Sequence, residues 1–71
     1  MNANDHIRVL TSRLASGDLF AGVALADALE ETGDTRAEVA RTHAEKIATS
    51  RSFFEVLSAR TALLALIVGE N

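Results

Sequence analysis

A chain of 71 residues has room for one small domain, and this one carries 7 basic against 10 acidic residues, for a formal charge of −3. With 48% hydrophobic residues it is too apolar for a disordered segment, and its acidic balance excludes a basic nucleic-acid-binding arm. The absence of cysteine excludes disulfides and thiolate metal ligands. We therefore predict one folded helical domain over residues 1–71.

The ends and the composition of the chain bear on where the protein works. The N-terminal residues 1–6 lack the basic and apolar segments of a secretion signal, and no stretch approaches the roughly 18 uninterrupted apolar residues of a membrane span. We expect a cytoplasmic protein with no membrane partner. Six of the seven basic residues are Arg and thirteen residues are Ala, a bias typical of GC-rich coding DNA that favours a bacterial or phage source.

Helix-forming residues dominate the chain, which has no proline and no alternating β-branched runs. The predicted fold class is all-α, a small bundle of four short helices. The first helix is expected to be capped by Asn4 or Asp5 and to end at residues 16–17, where a glycine suits the left-handed C-terminal geometry. Its apolar stripe recurs at intervals of three and four residues and comprises Ile7, Leu10 and Leu14.

The second helix is predicted to begin at Asp18, whose carboxylate can accept the first free amides. Its apolar residues spread around much of the circumference, so it should be the most buried helix; they are Leu19, Phe20, Val23, Leu25 and Leu29. Gly22 costs a helix about 1 kcal/mol relative to alanine, which indicates a close helix crossing at that position.

The third helix is predicted to follow Gly33, with a capping box at residues 35–38 in which a hydroxyl and a carboxylate satisfy each other's backbone amides. Its apolar side comprises Val39, Ala40, His43, Ala44 and Ile47. Residues 52–55 repeat the capping-box spacing and predict a break near residues 49–52, although no glycine or proline enforces one. One long helix in place of the third and fourth stays open as an alternative.

The fourth helix, residues 52–68, is expected to end at Gly69 and is unusually apolar. Residues 62–68 are apolar on every helical face, which is more than one neighbouring helix needs. Since about 70 residues give a marginal core, we expect one face to meet another chain, in a homodimer or on a protein partner. The alternative is that the run forms the monomer's own core. The predicted contact residues are Phe53, Phe54, Leu57, Arg60, Leu64 and Ile67.

A motif at the end of the second helix resembles a known family. Residues 26–38 read Ala-Asp-Ala-Leu-Glu-Glu-Thr-Gly-Asp-Thr-Arg-Ala-Glu and are followed by Arg41. They resemble the signature of the bacterial repeat-companion domain, Ala-Asp-Trp-Leu-Glu-Glu-x-Gly-Asp-Pro-Arg-Ala-Glu. The resemblance covers roughly residues 7–44, departs at Ala28 and Thr35, and does not extend to the last twenty-odd residues. It implies a helical module that accompanies repeats in larger bacterial proteins and carries no catalytic site.

Catalytic and metal-binding patterns are lacking in the sequence. His6 and His43 have no second histidine or carboxylate at the spacing of a helical metal pair, and no nucleophile elbow or phosphate-binding glycine loop is present. We expect His43 to be a partly buried imidazole on an apolar stripe. The sequence predicts no enzyme activity, no cofactor, no metal site and no small-molecule substrate.

Five of the seven basic residues lie in the C-terminal half, but steps of five from Arg36 to Arg51 spiral around a helix and form no basic stripe. Nucleic acid is therefore an unexpected partner. Arg60 is expected at the edge of the apolar stripe with its guanidinium in water, or paired with a carboxylate across an interface. The sequence predicts a non-catalytic helical protein-protein interaction module that acts through its C-terminal helix. The alternative is a small dimeric nucleic-acid-binding regulator.

Overall fold

The computed structural model describes residues 3–69, which form four α-helices and no strand. They are α1 (Ala3–Ala15), α2 (Ala21–Glu31), α3 (Ala37–Thr49) and α4 (Phe53–Val68). The fold class, a small all-α bundle of four short helices, is confirmed, and the third and fourth helices are separate. No helix in this part of the chain is long and apolar enough to cross a membrane.

The helices form a closed ring around one core. α2 packs against α1 and α3, while α4 closes the ring by packing against α3 and α1. The largest fully buried side chains come from three of the helices and are Leu14, Leu25, Leu29 and Leu63. α2 contributes more buried residues than any other helix, as its apolar circumference predicts. Phe20 differs from that prediction, because its side chain is 88% exposed in the turn before α2.

The same turn is used twice, at residues 16–21 and 32–37. In each, a glycine with positive φ (110° in the first, 70° in the second) follows the helix end. The next residue is an aspartate whose amide donates to the carbonyl five residues earlier, at 2.9 and 3.0 Å. The aspartate carbonyl then accepts the amide of the alanine that opens the next helix, at 3.1 Å in both turns. Glycine is required because this helix ending needs a left-handed residue.

The N-terminal caps differ from the sequence expectation at three helices. At α3 the predicted capping box of residues 35–38 is wrong, since Asp34 Oδ1 accepts the Arg36 amide at 2.8 Å instead. At α2 the residue before the helix supplies no side-chain cap, and Asp18 contributes its backbone carbonyl. Asn4 and Asp5 already lie in the first turn of α1, and its cap position falls outside the described residues.

The break between α3 and α4 is made by serine side chains. Ser52 is extended, with φ −92° and ψ 119°, and its hydroxyl accepts the Glu55 amide at 3.4 Å, which confirms the predicted cap. The Glu55 carboxylate does not accept the Ser52 amide directly. Instead the Ser50 hydroxyl accepts the Ser52 amide at 3.2 Å and donates to Glu55 Oε2 at 2.7 Å. Three polar side chains therefore end one helix and start the next without glycine or proline.

Side chains from the three other helices converge on Gly22 of α2. A Cβ atom there would lie 3.3 Å from Cδ1 of Ile47, 3.5 Å from Cδ2 of Leu63 and 3.8 Å from Cδ1 of Leu14. These side chains belong to the three other helices, so the close approach that a mid-helix glycine indicates is present. The glycine leaves room for these side chains against α2 at the cost of some helix propensity.

Candidate functional site on the C-terminal helix

The inward side of α4 holds the helix against the bundle. Val56, Ala59 and Leu63 are buried and recur at intervals of three and four residues. Because an α-helix advances 100° per residue, the opposite side of α4 faces outward. That side forms a shallow open groove, which we call the outer groove, lined by Phe54, Leu57, Ser58, Thr61, Ala62 and Ala65.

The predicted contact residues divide into two groups. Phe53 and Phe54 are 72% and 78% exposed, and Leu57 is half-buried. Leu64 and Ile67 are also half-buried but pack against the core of their own chain. The structure therefore brings Phe54 and Leu57 together in the outer groove and directs Leu64 and Ile67 elsewhere.

Most of the apolar run at residues 62–68 is used within the chain. Leu63 is fully buried, and Leu64, Leu66 and Ile67 pack on the core, while Val68 is 64% exposed. These leucines and Ile67 therefore contribute to the core of their own chain, which is the alternative that the sequence left open. The larger exposed apolar area lies at the other end of α4, where the two phenylalanines are adjacent.

Arg60 lies at the edge of α4 and is half-buried. Its Nε atom is buried and has no hydrogen-bond partner within residues 3–69. Arg60 makes no ion pair in the part of the chain that the structure describes.

The outer groove carries no charged residue. Its one threonine, Thr61, donates its hydroxyl hydrogen to the carbonyl of Leu57 at 3.0 Å, so the hydroxyl is satisfied within the helix. A smaller groove borders it between α3 and α4, and there the charged and titratable residues are His43, Lys46 and Glu55. The outer groove is therefore an uncharged surface with charge along one edge.

A second exposed apolar patch lies where α2 begins. Leu19, Phe20 and Val23 line a pocket with Ile47 and Ala48 of α3. The sequence pattern counts Phe20 among the apolar residues of the helix predicted to be most buried, so it does not predict this patch. The turn at residues 16–21 repeats at residues 32–37, and position 20 of the first turn corresponds to Arg36 in the second. A polar residue at the corresponding position indicates that position 20 is exposed.

Three charged residues of the motif, on α2 and α3, contact one another. Arg41 on α3 donates from Nη2 to Oδ1 of Asp27 at 2.5 Å and to Oε1 of Glu30 at 2.6 Å, with a further bond from Nε to Glu30 at 2.9 Å. Both carboxylates lie on α2. The two carboxylates are more than half exposed, so solvent screens their attraction to Arg41 and the contact adds little to the packing of α2 on α3.

Arg36 connects the α2–α3 turn to the far end of α4. Its guanidinium binds the Asp34 carboxylate through both oxygens, at 3.0 and 2.7 Å. Nη1 also donates to the carbonyls of Leu66 and Ile67, at 3.4 and 3.2 Å, in the last turn of α4. One side chain therefore satisfies two carbonyls that a helix end leaves free. The hydrogen bonds from the Arg36 side chain and amide lower the pKa of Asp34 from 3.8 to about 2.

Protonation of Asp34 is expected to weaken the bundle at low pH. Because its pKa is lower in the folded than in the unfolded chain, its stabilising effect is present above about pH 5 and disappears as the pH falls towards 2. Asp34→Asn keeps the Oδ1 acceptor and removes the charge, so at pH 7 it should cost about 1 kcal/mol. Urea unfolding of both proteins at pH 7, 5, 3 and 2 should show this difference closing between pH 5 and 2. A difference that persists unchanged at pH 2 would contradict the assignment.

The histidines and arginines offer little for other chemistry. His6 is exposed and His43 is half-buried. Within residues 3–69 no group of three or more His, Cys, Asp or Glu could hold a metal ion. Arg36 and Arg41 are each held by carboxylates, which reduces their capacity for phosphate contacts.

Comparison with known proteins gives no match. No family model, no curated protein and no solved structure matches the chain.

Proposed function

We propose that this chain is a non-catalytic helical protein-protein interaction module that self-associates, or docks on a larger protein, through α4. The observation that carries the proposal is the outer groove together with Phe53 and Phe54, two adjacent phenylalanines more than 70% exposed at one end of an uncharged helix face. Exposed aromatic side chains beside an apolar groove are the usual anchors of protein interfaces.

The contacts of the motif residues support the same proposal. Asp27, Glu30, Asp34, Arg36 and Arg41 bind one another or the end of α4, so their roles are accounted for by holding the helices together. Such a scaffold suits a module that presents a surface. We also propose that residues 7–44 are related to the repeat-companion family. Such a relationship is consistent with a non-catalytic role.

Phe54→Asp tests the outer groove. A carboxylate at the centre of an apolar contact must be desolvated, so we expect the dissociation constant for self-association to rise about tenfold or more. Sedimentation equilibrium from 10 µM to 1 mM should show a mass above that of one chain for the wild type, and the variant should need a concentration at least about tenfold higher to reach the same mass. Circular dichroism should show an unchanged helix content, because Phe54 contributes little to the core.

Phe20→Asp is the matched control. Phe20 is the same residue type with similar exposure, 88%, but it lies on the patch where α2 begins. We expect this variant to sediment like the wild type. A fall in mass for Phe20→Asp with none for Phe54→Asp would move the interface to the α2 patch and refute the assignment to α4.

A further inference from the structure

The corner between α3 and α4, residues 50–52, is shaped by exposed side-chain contacts. It contains no glycine or proline, and Ser50 and Ser52 have extended dihedral angles that any residue adopts. Exposed hydrogen bonds among Ser50, Ser52 and Glu55, 2.7 to 3.4 Å long, fix its shape. Water replaces such bonds readily, so the corner opens without leaving a buried polar group unsatisfied.

The contacts that hold α4 in the bundle come from the part of the chain that precedes the corner. α4 packs against α3 and α1, and Leu63 lies beside Gly22 of α2. At its far end the carbonyls of Leu66 and Ile67 accept hydrogen bonds from Arg36. These contacts do not involve residues 50–52. The site formed by α1, α2 and α3 therefore fits the α4 of a second copy as well as it fits its own.

Exchange of one element between identical chains gives a dimer in which each native contact is made again with the partner. We propose that this chain self-associates by exchanging α4. The corner at residues 50–52 opens, and α4 of each copy packs against α1 and α3 of the other. The inference rests on the proposed function and specifies how α4 joins two copies: its buried face, which already has a complementary surface in the fold, is the face that changes chains.

The shortness of the corner determines where the two bundles meet. Four peptide units connect Thr49, the last residue of α3, to Phe53, the first of α4, and they span at most about 14 Å. In the exchanged dimer α3 and α4 of one chain belong to different bundles, and this short segment connects them. Both copies therefore bring the same end of the bundle, the end that contains the corner, to the junction between the two bundles.

This junction adds contacts that a single chain lacks. Phe53 and Phe54 directly follow the corner and are 72% and 78% exposed in the single chain. Each copy brings this pair to the junction, where burial of the aromatic rings favours the dimer. The contacts of α4 itself are the same in both forms, so the junction decides the balance between them. Phe54→Asp should accordingly weaken this dimer too.

Methyl NMR on a mixture of two labelled forms tests the exchange directly. Ile47 Cδ1 and Leu63 Cδ2 lie 3.3 and 3.5 Å from the position that a Cβ atom of residue 22 would occupy, so their methyl groups are close enough for a nuclear Overhauser effect (NOE). Chains labelled only at isoleucine methyls are unfolded in urea with chains labelled only at leucine methyls, and the mixture is refolded at 1 mM. An NOE between labelled Ile47 and Leu63 then arises only between different chains, and we expect to observe it.

The same spectrum contains its own control. Leu14 Cδ1 lies 3.8 Å from the same position, but Leu14 and Ile47 both precede the corner and stay in one bundle when α4 is exchanged. We therefore expect no NOE between Leu14 and Ile47 of different chains. A second variant changes the corner: six residues of alternating glycine and serine inserted after Arg51 no longer force the two bundles together. The dissociation constant of the dimer should then rise at least about tenfold, with unchanged helix content.

Each outcome has a separate meaning. An NOE between Ile47 and Leu63 of different chains supports the exchange of α4, and a further one between Leu14 and Ile47 shows that another element is exchanged and overturns it. If the wild type sediments as a dimer without the Ile47–Leu63 NOE, or if the insertion leaves its dissociation constant unchanged, closed chains pair with each other. The exchange is then refuted while self-association stands. If the wild type sediments as one chain up to 1 mM, self-association itself fails, and this inference fails with it.

Discussion

Replacing Leu63 by alanine is expected to lower the free energy of unfolding by about 3 kcal/mol, the largest effect of any change considered in this protein. Leu63 is fully buried, and its Cδ2 atom lies beside Gly22, where side chains from α1 and α3 also converge. Removal of three carbon atoms leaves a cavity that the surrounding helices can fill only in part. A domain of this size has a total stability of roughly 4 to 10 kcal/mol, so a large share would be lost.

Urea unfolding followed by circular dichroism at 222 nm measures this change. Leu57→Ala is the matched control, since it removes the same atoms from the same helix at a half-buried position in the outer groove. The control should cost about 1 kcal/mol or less, measured at a concentration where the chain is monomeric. Equal losses for the two variants would contradict the assignment of Leu63 to the core and Leu57 to the outer surface.

The second large effect is expected for Arg36→Met, which should lower the free energy of unfolding by about 2 kcal/mol. The substitution removes the two-point contact with Asp34 and leaves the Leu66 and Ile67 carbonyls without their donor. Methionine preserves the length of the apolar stem, so the loss reports the guanidinium. Hydrogen exchange should show faster exchange in the last turn of α4.

Arg41→Met provides the comparison for this prediction. Arg41 also binds two carboxylates, but these are 58% and 51% exposed against 22% for Asp34, and Arg41 makes no contact with the end of another helix. Its loss should therefore lower the free energy of unfolding much less than the loss of Arg36 and should leave exchange in α4 unchanged. Arg36→Lys should recover only part of the loss, because an ammonium group cannot bind both carboxylate oxygens and the helix carbonyls in the same way. An unchanged free energy of unfolding for Arg36→Met would show that the contact of Arg36 with α4 adds nothing to stability.

Local signals in the sequence account for most of the fold. The glycines at positions 17, 33 and 69 end helices with positive φ, and the capping residues at 52–55 separate α3 from α4. These features were predictable because each depends on residues a few positions apart. The cap at α3 was misassigned for a similar local reason, since Asp34 and Thr35 are adjacent and both offer a side-chain oxygen.

The rotation of α4 about its own axis was not predictable in the same way. The helix is apolar on all sides, so its sequence does not distinguish the inward from the outward face, and the packing of α1 and α3 decides it. Leu64 and Ile67 pack against the core of their own chain and stay half-buried, which their sequence positions alone do not indicate. The contact of Arg36 with α4 spans 30 residues or more and leaves no periodic signal in the chain.

The turn at residues 50–52 differs from the two that precede it, and this difference has an architectural consequence. The two glycine turns share one hydrogen-bond pattern, and each joins two helices that pack against each other, α1 with α2 and α2 with α3. The serine-built corner, with Ser50 extended at φ −69° and ψ 141°, redirects the chain so that α4 returns to α1.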